Sequence, residues 1–279
     1  MASTAFKTVY REEFVASFEE RMSFLRSTTT LNSGTNGNTA IFLVAGSGGA
    51  TAVTRGANGL IPARNDDQTQ NTCTLTEWHD LPQKTGFTVD LGQSDQRRMM
   101  QMTSMGVINR KIDDQILTEL NTATNDTGSA TTASLALVMK AKVILGVNEV
   151  PVQEEDNMFG VISPAMDGYL MQVPAYTSAD YVEVKPFAGP ARRFRRWAGI
   201  NWIIHPNVPG VGTNAEKCFI YHRAAIGHAV AMSGTDSVVG YNEEQAYHYV
   251  RTSTYMGSKL LQNSGVCVIN HDGSAFAAS

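Results

Sequence analysis

The chain has 279 residues, a net charge of −4 and only 17% charged side chains, with Gly, Thr, Asn and Ala plentiful. That length can bury a substantial core, as one elaborated domain or two intertwined ones. Low charge density implies a neutral surface in contact with other protein, and the lack of a basic excess argues against a dedicated nucleic-acid binder.

Arg11 to Arg26 predicts a helix, because Phe14, Phe18, Met22 and Leu25 recur at helical spacing and form one apolar stripe. The turn-rich run TTTLNSGTNGNT ends it. From Asn32 to Gly92 the chain is polar. An arm of about 60 residues with too few apolar side chains for its own core must find its partner surface on another subunit. Within it Thr39 to Ala45, Thr72 to His79 and Lys84 to Val89 predict strands, the second from the alternation of Thr72, Thr74 and Thr76 with Cys73, Leu75 and Glu77. Gly46-Ser47-Gly48-Gly49 and Arg55-Gly56-Ala57-Asn58-Gly59 punctuate the stretch between. The region reads as a long hairpin held away from the body, its tip over Ala45 to Leu60.

Ser94 is the expected N-cap of a helix to about Asn121, roughly 40 Å long, with Asp95 favourable to its dipole. Met99, Met102, Gly106, Asp113 and Leu120 line one side; Met105, Ile108, Ile112 and Ile116 line a second, so contact on more than one face is expected. The methionines Met99, Met100, Met102 and Met105 read as adaptable packing in a core or subunit contact. Asn121 to Thr132 is a polar break and the expected domain boundary.

Beyond it the pattern is α/β. A helix from Ser134 carries Leu135, Val138, Met139 and Ile144 and stops near Gly146; a loop with Glu154-Glu155-Asp156 follows; Met158 to Ile162 reads as a buried strand. Ser163-Pro164 opens a helix continuing through Met166, Leu170 and Val173. Ile200 to Ile204 is a strand, and Cys218 to Tyr221 leads into a small-residue helix, AAIGHAVAM. Ala246 to Met256 and Val266 to Ile269 are strand-like, separated by a turn at Gln262-Asn263-Ser264-Gly265.

This order resembles the major capsid proteins of tailed bacteriophages, the Hong Kong 97 type fold shared with encapsulin shells and the floor of herpesvirus capsids. AIFLVAG and QNTCTLTEWHDLPQKTGFTV look like the extended loop of that family, and SDQRRMMQMTSMGVINRKIDDQILTELN like its spine helix. MFGVISPAMDGYLMQV looks like the strand, turn and helix of its axial domain; AEKCFIYHRAAIGHAVAM and YHYVRTSTYMGSKLLQNSGVCVIN look like its last helix and closing strands.

The resemblance implies an α+β capsid fold. Residues 1–35 would be an N-terminal arm, 36–92 an extended loop, 93–125 with 234–262 a peripheral domain, and 126–233 with 263–279 an axial domain. It also implies a coat subunit that assembles in the host cytoplasm, as pentamers and hexamers, into an icosahedral virion shell around double-stranded DNA. The implied partners are copies of itself, separate scaffolding and portal proteins, and decoration proteins. An encapsulin-like nanocompartment shell and an α/β enzyme without a recognisable motif are the alternatives.

No chemical motif competes with that reading. Gly46-Ser47-Gly48-Gly49 is followed by Ala50-Thr51, with neither the Lys nor the helix start that a phosphate loop needs. Neither a catalytic constellation nor a cofactor or metal site is expected, because the six histidines show no ligand spacing with a second cluster. Cys73, Cys218 and Cys267 lie far apart and read as small buried side chains. No stretch approaches the roughly 18 apolar residues of a membrane span, and the opening MASTAFKTVYREEF has no signal-peptide core.

The strongest electrostatic signal is Arg192-Arg193-Phe194-Arg195-Arg196-Trp197. Clustered guanidinium groups repel one another and need anions or water. They suit intersubunit ion pairs, with Glu154, Glu155 and Asp156 as partners, or a genome-facing patch, or a solvated edge that discourages stray strand pairing.

Overall fold

The computed structural model describes residues 22–35, 37–64, 67–91, 95–177 and 195–276. The expected first helix lies mostly outside them, from Arg11 to Arg21; Arg26–Thr28 forms one 3-10 turn beside the buried Leu25. The described chain divides into two units. One comprises Trp78–Lys111 and Thr235–Thr254; the other comprises Phe24–Glu77, Ile112–Gly234 and the chain from Tyr255.

Strand β1 (Thr30–Thr35) is followed by β2 (Thr39–Gly46) and β3 (Asp67–Thr74), an antiparallel hairpin in which Thr39 faces Thr74 and Gly46 faces Asp67. The expected strand Thr72 to His79 is interrupted at Leu75, so β3 ends there and β4 (Thr76–Asp80) begins a separate pairing. The expected strand Lys84 to Val89 is overturned: β5 (Gln83–Thr85) gives way to α1 (Gly86–Leu91). The cause is local. The Thr85 hydroxyl accepts the N–H of Thr88 at 3.4 Å, as a helix cap does, and that turns the chain before the strand can continue.

The long helix is α2 (Gln96–Leu120). Ser94, its expected cap, lies outside the described residues; Asp95 Oδ1 accepts the N–H of Arg98 at 3.2 Å and does the capping. Its buried row is Met100, Ser104, Ile108, Ile112, Ile116 and Leu120, each four residues from the last, which keeps them on one face. Met102 and Met105, expected to pack, are 41% and 37% exposed.

The α/β region follows its local signals closely. In α3 (Leu135–Val147) the Ser134 hydroxyl accepts the N–H of Leu137, and Leu137, Val138, Ala141 and Leu145 are buried, whereas Met139 faces outward. After β6 (Met158–Ile162), Ser163 caps α4 (Pro164–Leu170) through the N–H of Met166 at 2.9 Å. This helix stops at Leu170, short of the expected Val173, and α5 (Pro174–Thr177) starts afresh, since Pro174 has no N–H to continue the ladder. Next come β7 (Arg195–Trp197), β8 (Ile200–Ile204) and β9 (Glu216–His222). The last strands are β10 (Ile226–Asn242), β11 (Tyr247–Leu260) and β12 (Val266–His271).

The expected helix AAIGHAVAM, including the last helix implied by the resemblance, is therefore strand. Ile226 to Val230 are all buried in β10, which pairs in parallel with β1 (Thr30 opposite Gly227) and has β11 on its other side. Alanine favours a helix by a fraction of a kcal/mol per residue, and central placement in a sheet overrides so small a preference.

Two sheets result besides the hairpin. One runs β1-β10-β11-β4, with β5 added on β11; the other runs β12-β9-β6-β8-β7, with β6 and β8 parallel. Both α3 and α4 pack on the second sheet around Trp202, Met158, Ile162, Met166 and Ile220. The fit around Trp202 is close: a Cβ built on Gly160, its neighbour on β6, would lie 2.6 Å from the indole Cε3. Gly160→Ala should therefore overpack this core and cost about 1–3 kcal/mol. Denaturant unfolding of the isolated subunit measures this, and an unchanged midpoint would contradict the packing.

Candidate assembly surfaces

The hairpin alternates as a half-buried strand pair should. Ala40, Phe42 and Cys73 turn inward to a small cluster with Leu75 and Ala229, while Ile41 and Leu43 turn outward at 54% and 69% exposure. Between the strands, residues 47–64 are exposed, and Val53, Leu60 and Ile61 add apolar surface. The tip is nonetheless ordered by its own bonds. Gly56 N–H donates to Leu60 O at 3.0 Å, Arg55 Nη1 to Gly59 O at 3.2 Å, and Arg64 Nη1 to Ser47 O at 3.1 Å. Gly48 and Gly49 adopt φ of +60° and +73°, so the Gly-rich run is a turn. An exposed apolar strand face of this kind marks a contact surface.

Of the arginine run, Arg192 and Arg193 lie outside the described residues. Arg195 Nη1 stands 3.2 Å from Asp167 Oδ1, to which the Tyr176 hydroxyl also donates at 3.3 Å. Burial pushes the Asp167 carboxyl up despite the opposing pull of Arg195, and burial likewise pushes the Tyr176 phenol up to about 12. Arg196 Nη2 meets Asp156 Oδ1 at 2.6 Å and its Nη1 lies 3.9 Å from Glu155 Oε2. Glu154 takes the Asn157 amide at 2.9 Å and faces His222 Nε2 at 3.6 Å; these two hold its carboxyl below the usual range. Arg196 thus meets Asp156 and Glu155 within one chain, at an exposed site where such pairs contribute about 0–1 kcal/mol.

A buried polar cluster at the root of the N-terminal segment had no sequence signal, since Asp113 is one of three carboxylates on a helix rich in charge. Asp113, 1% exposed, accepts the N–H groups of Phe24 (2.9 Å) and Leu25 (3.1 Å) and faces His205 Nε2 at 3.4 Å. Thr28 Oγ1 and the Tyr221 hydroxyl lie 2.6 Å apart. His228 Nδ1 meets Ser258 Oγ at 2.9 Å, while its buried Nε2 has no hydrogen-bond partner. Burial first, then nearby Arg26, pushes the His228 imidazole down to about 4. Among the described residues no three His, Cys, Asp or Glu side chains are grouped to hold a metal ion.

Comparison with known proteins places these surfaces in context. The family model described as phage capsid protein matches residues 2–273. No curated protein matches the chain. Among solved structures, that of Mycobacterium phage Che8 is similar with a TM-score of 0.73 at 14% identity, covering 97% of this chain and 98% of the other. The capsid of Ralstonia phage GP4 gives 0.71 at 12% identity, covering 96% of each. The capsid of Cyanophage P-SCSP1u gives 0.69 at 12% identity, covering 96% and 93%. At such identities the structural likeness speaks to the fold, the Hong Kong 97 type expected from element order.

The buried imidazole makes subunit stability depend on pH. Because its value is lowered on folding, the unfolded chain binds the extra proton first. Stability is full above about pH 6.5 and is lost as pH falls toward about 4, by up to about 3 kcal/mol. Thermal melts between pH 7 and pH 4.5 should show this fall, and His228→Gln should flatten it; an equal fall in both proteins would refute the assignment.

Proposed function

The chain belongs to the phage capsid protein family, and we propose that it is the major coat subunit of a tailed phage, closing in many copies as pentamers and hexamers into an icosahedral shell around double-stranded DNA. In this reading residues 1–35 are the N-terminal arm, 36–92 the extended loop, 93–125 with 234–262 the peripheral domain, and 126–233 with 263–279 the axial domain. The observation that carries it is the hairpin β2–β3. Its inner face is held at the root, and its outer face, with Ile41 and Leu43, has no cover among the described residues. A second copy supplies that cover, so stability grows with assembly.

Scaffolding, portal and decoration proteins are further partners in this reading, assembly takes place in the host cytoplasm, and the subunit itself performs no catalysis. Arg192, Arg193 and the exposed Arg196 stand as contacts to a neighbouring subunit or to the genome.

Deleting residues 45–60 should leave folded subunits, judged by circular dichroism, that form no stable shells in negative-stain micrographs; normal particles would overturn the reaching role. Replacing Arg192, Arg193 and Arg196 with Gln, and leaving Arg195 on Asp167, should lower shell yield while the subunit stays folded, with particle counts after sedimentation as the readout. Unchanged yield and shell stability would remove the arginines from the interface.

A further inference from the structure

Two glycines lie under the root of the hairpin. Gly227 of β10 sits against the Phe42 ring, and a Cβ there would stand 2.8 Å from Cζ and 2.9 Å from Cε1. Gly257 of β11 sits against the end of β3, where a Cβ would stand 2.5 Å from the Thr74 carbonyl oxygen and 2.9 Å from Cys73 Sγ. Neither has a positive φ, so what excludes a side chain is space and not backbone conformation. Each glycine therefore lets one strand of the hairpin lie directly on the sheet.

These contacts come at the point where burial ends. Phe42 and Cys73 are buried, Val44, the next inward residue of β2, is half-buried, and Gly46 and Gln68 beyond it are exposed. Among the described residues, a side-chain bond also ties this root to the body: Asn71 Nδ2 donates to Leu261 O at 3.0 Å. A structure supported on so short a root amplifies any change at its seat.

We propose that Gly227 and Gly257 are positioning residues that set the direction in which the hairpin leaves the subunit, and hence whether it meets a neighbouring copy. The assembly half of this rests on the reaching role proposed above; the geometric half does not. Carbon atoms need about 3.5–4.0 Å, so a methyl group at Gly227 displaces the Phe42 ring by about 1 Å. From Phe42, β2 runs on to Gly46, about 13 Å at 3.3 Å per residue. Pivoting on the second seat, a strand away, the hairpin carries Gly46 about 2 Å sideways and the tip further. At Gly257 the obstacle is a backbone oxygen, which no rotamer change can move aside.

The test uses the whole chain with spin labels at Thr51→Cys, in the tip, and Val147→Cys, exposed on α3. The native thiols are buried, and burial pushes Cys73 up to about 11 and Cys267 up to about 12, so they label poorly. In Gly227→Ala the label distance in isolated subunits should shift by about 2 Å or more. Shell yield should fall at least about tenfold, since each shell needs many such contacts at once. Phe42→Leu, which removes the ring edge, should restore both when combined with Gly227→Ala.

Unchanged distance in folded Gly227→Ala, or a folded double variant that keeps the shifted distance, overturns the proposal. If Gly227→Ala alone does not fold, the double variant decides in its place: a native distance and yield support the seat, and a shifted distance refutes it. A shifted distance alongside normal shell yield would leave the seat in place and remove the reaching role instead.

Discussion

A two-stranded hairpin is marginal in water unless something covers it, and among the described residues little covers β2–β3. Thr39 to Gly46 pair fully with Asp67 to Thr74, yet inward burial is confined to Ala40, Phe42 and Cys73. The same strands present Ile41 and Leu43 to solvent. The backbone pairing keeps the element extended, and in the proposed coat the next copy supplies its second layer.

The α/β core contrasts with the hairpin in being closed on itself. Its sheet is covered by α3 and α4, and it encloses one ionisable pair as well. Glu216 and His271 stand opposite each other on β9 and β12, both wholly buried, with Nδ1 and Oε1 3.5 Å apart. Tyr169 meets the imidazole edge-on and Phe276 meets Tyr169 in turn, so the turn Ser274–Phe276 closes over the pair. Gly273 leaves room for the carboxylate, since a Cβ there would collide with Glu216 Oε2. Asp113 does similar work at the other end of the chain, holding the backbone of Phe24 and Leu25.

The parts legible in the sequence are those whose cause is local. Ser134 and Ser163 cap helices because a hydroxyl three residues from an orphan N–H is a sequence-level feature. Met158 to Ile162 reads as a buried strand from its apolar run alone. The arginine and acidic runs were recognisable as charges needing counter-ions, although nothing in their spacing showed that Arg195 would choose Asp167 and that Arg196 would choose Asp156 and Glu155. AAIGHAVAM was misread because its small residues answer to Phe42, nearly two hundred positions away, and to pairing with β1. Lys84 to Val89 was misread because one threonine hydroxyl decided a turn.

By itself the sequence determined the long helix, the capped helices and buried strand of the α/β region, and the imbalance between an apolar-poor segment and that region. Those follow from hydrophobic periodicity and capping, which act within a few residues. Only the tertiary structure decided that β10 is a strand, that Asp113 fastens the N-terminal segment, and that the hairpin rests on two glycines. Each depends on contacts between residues remote in the chain, where available space and buried hydrogen-bond partners outweigh local preference.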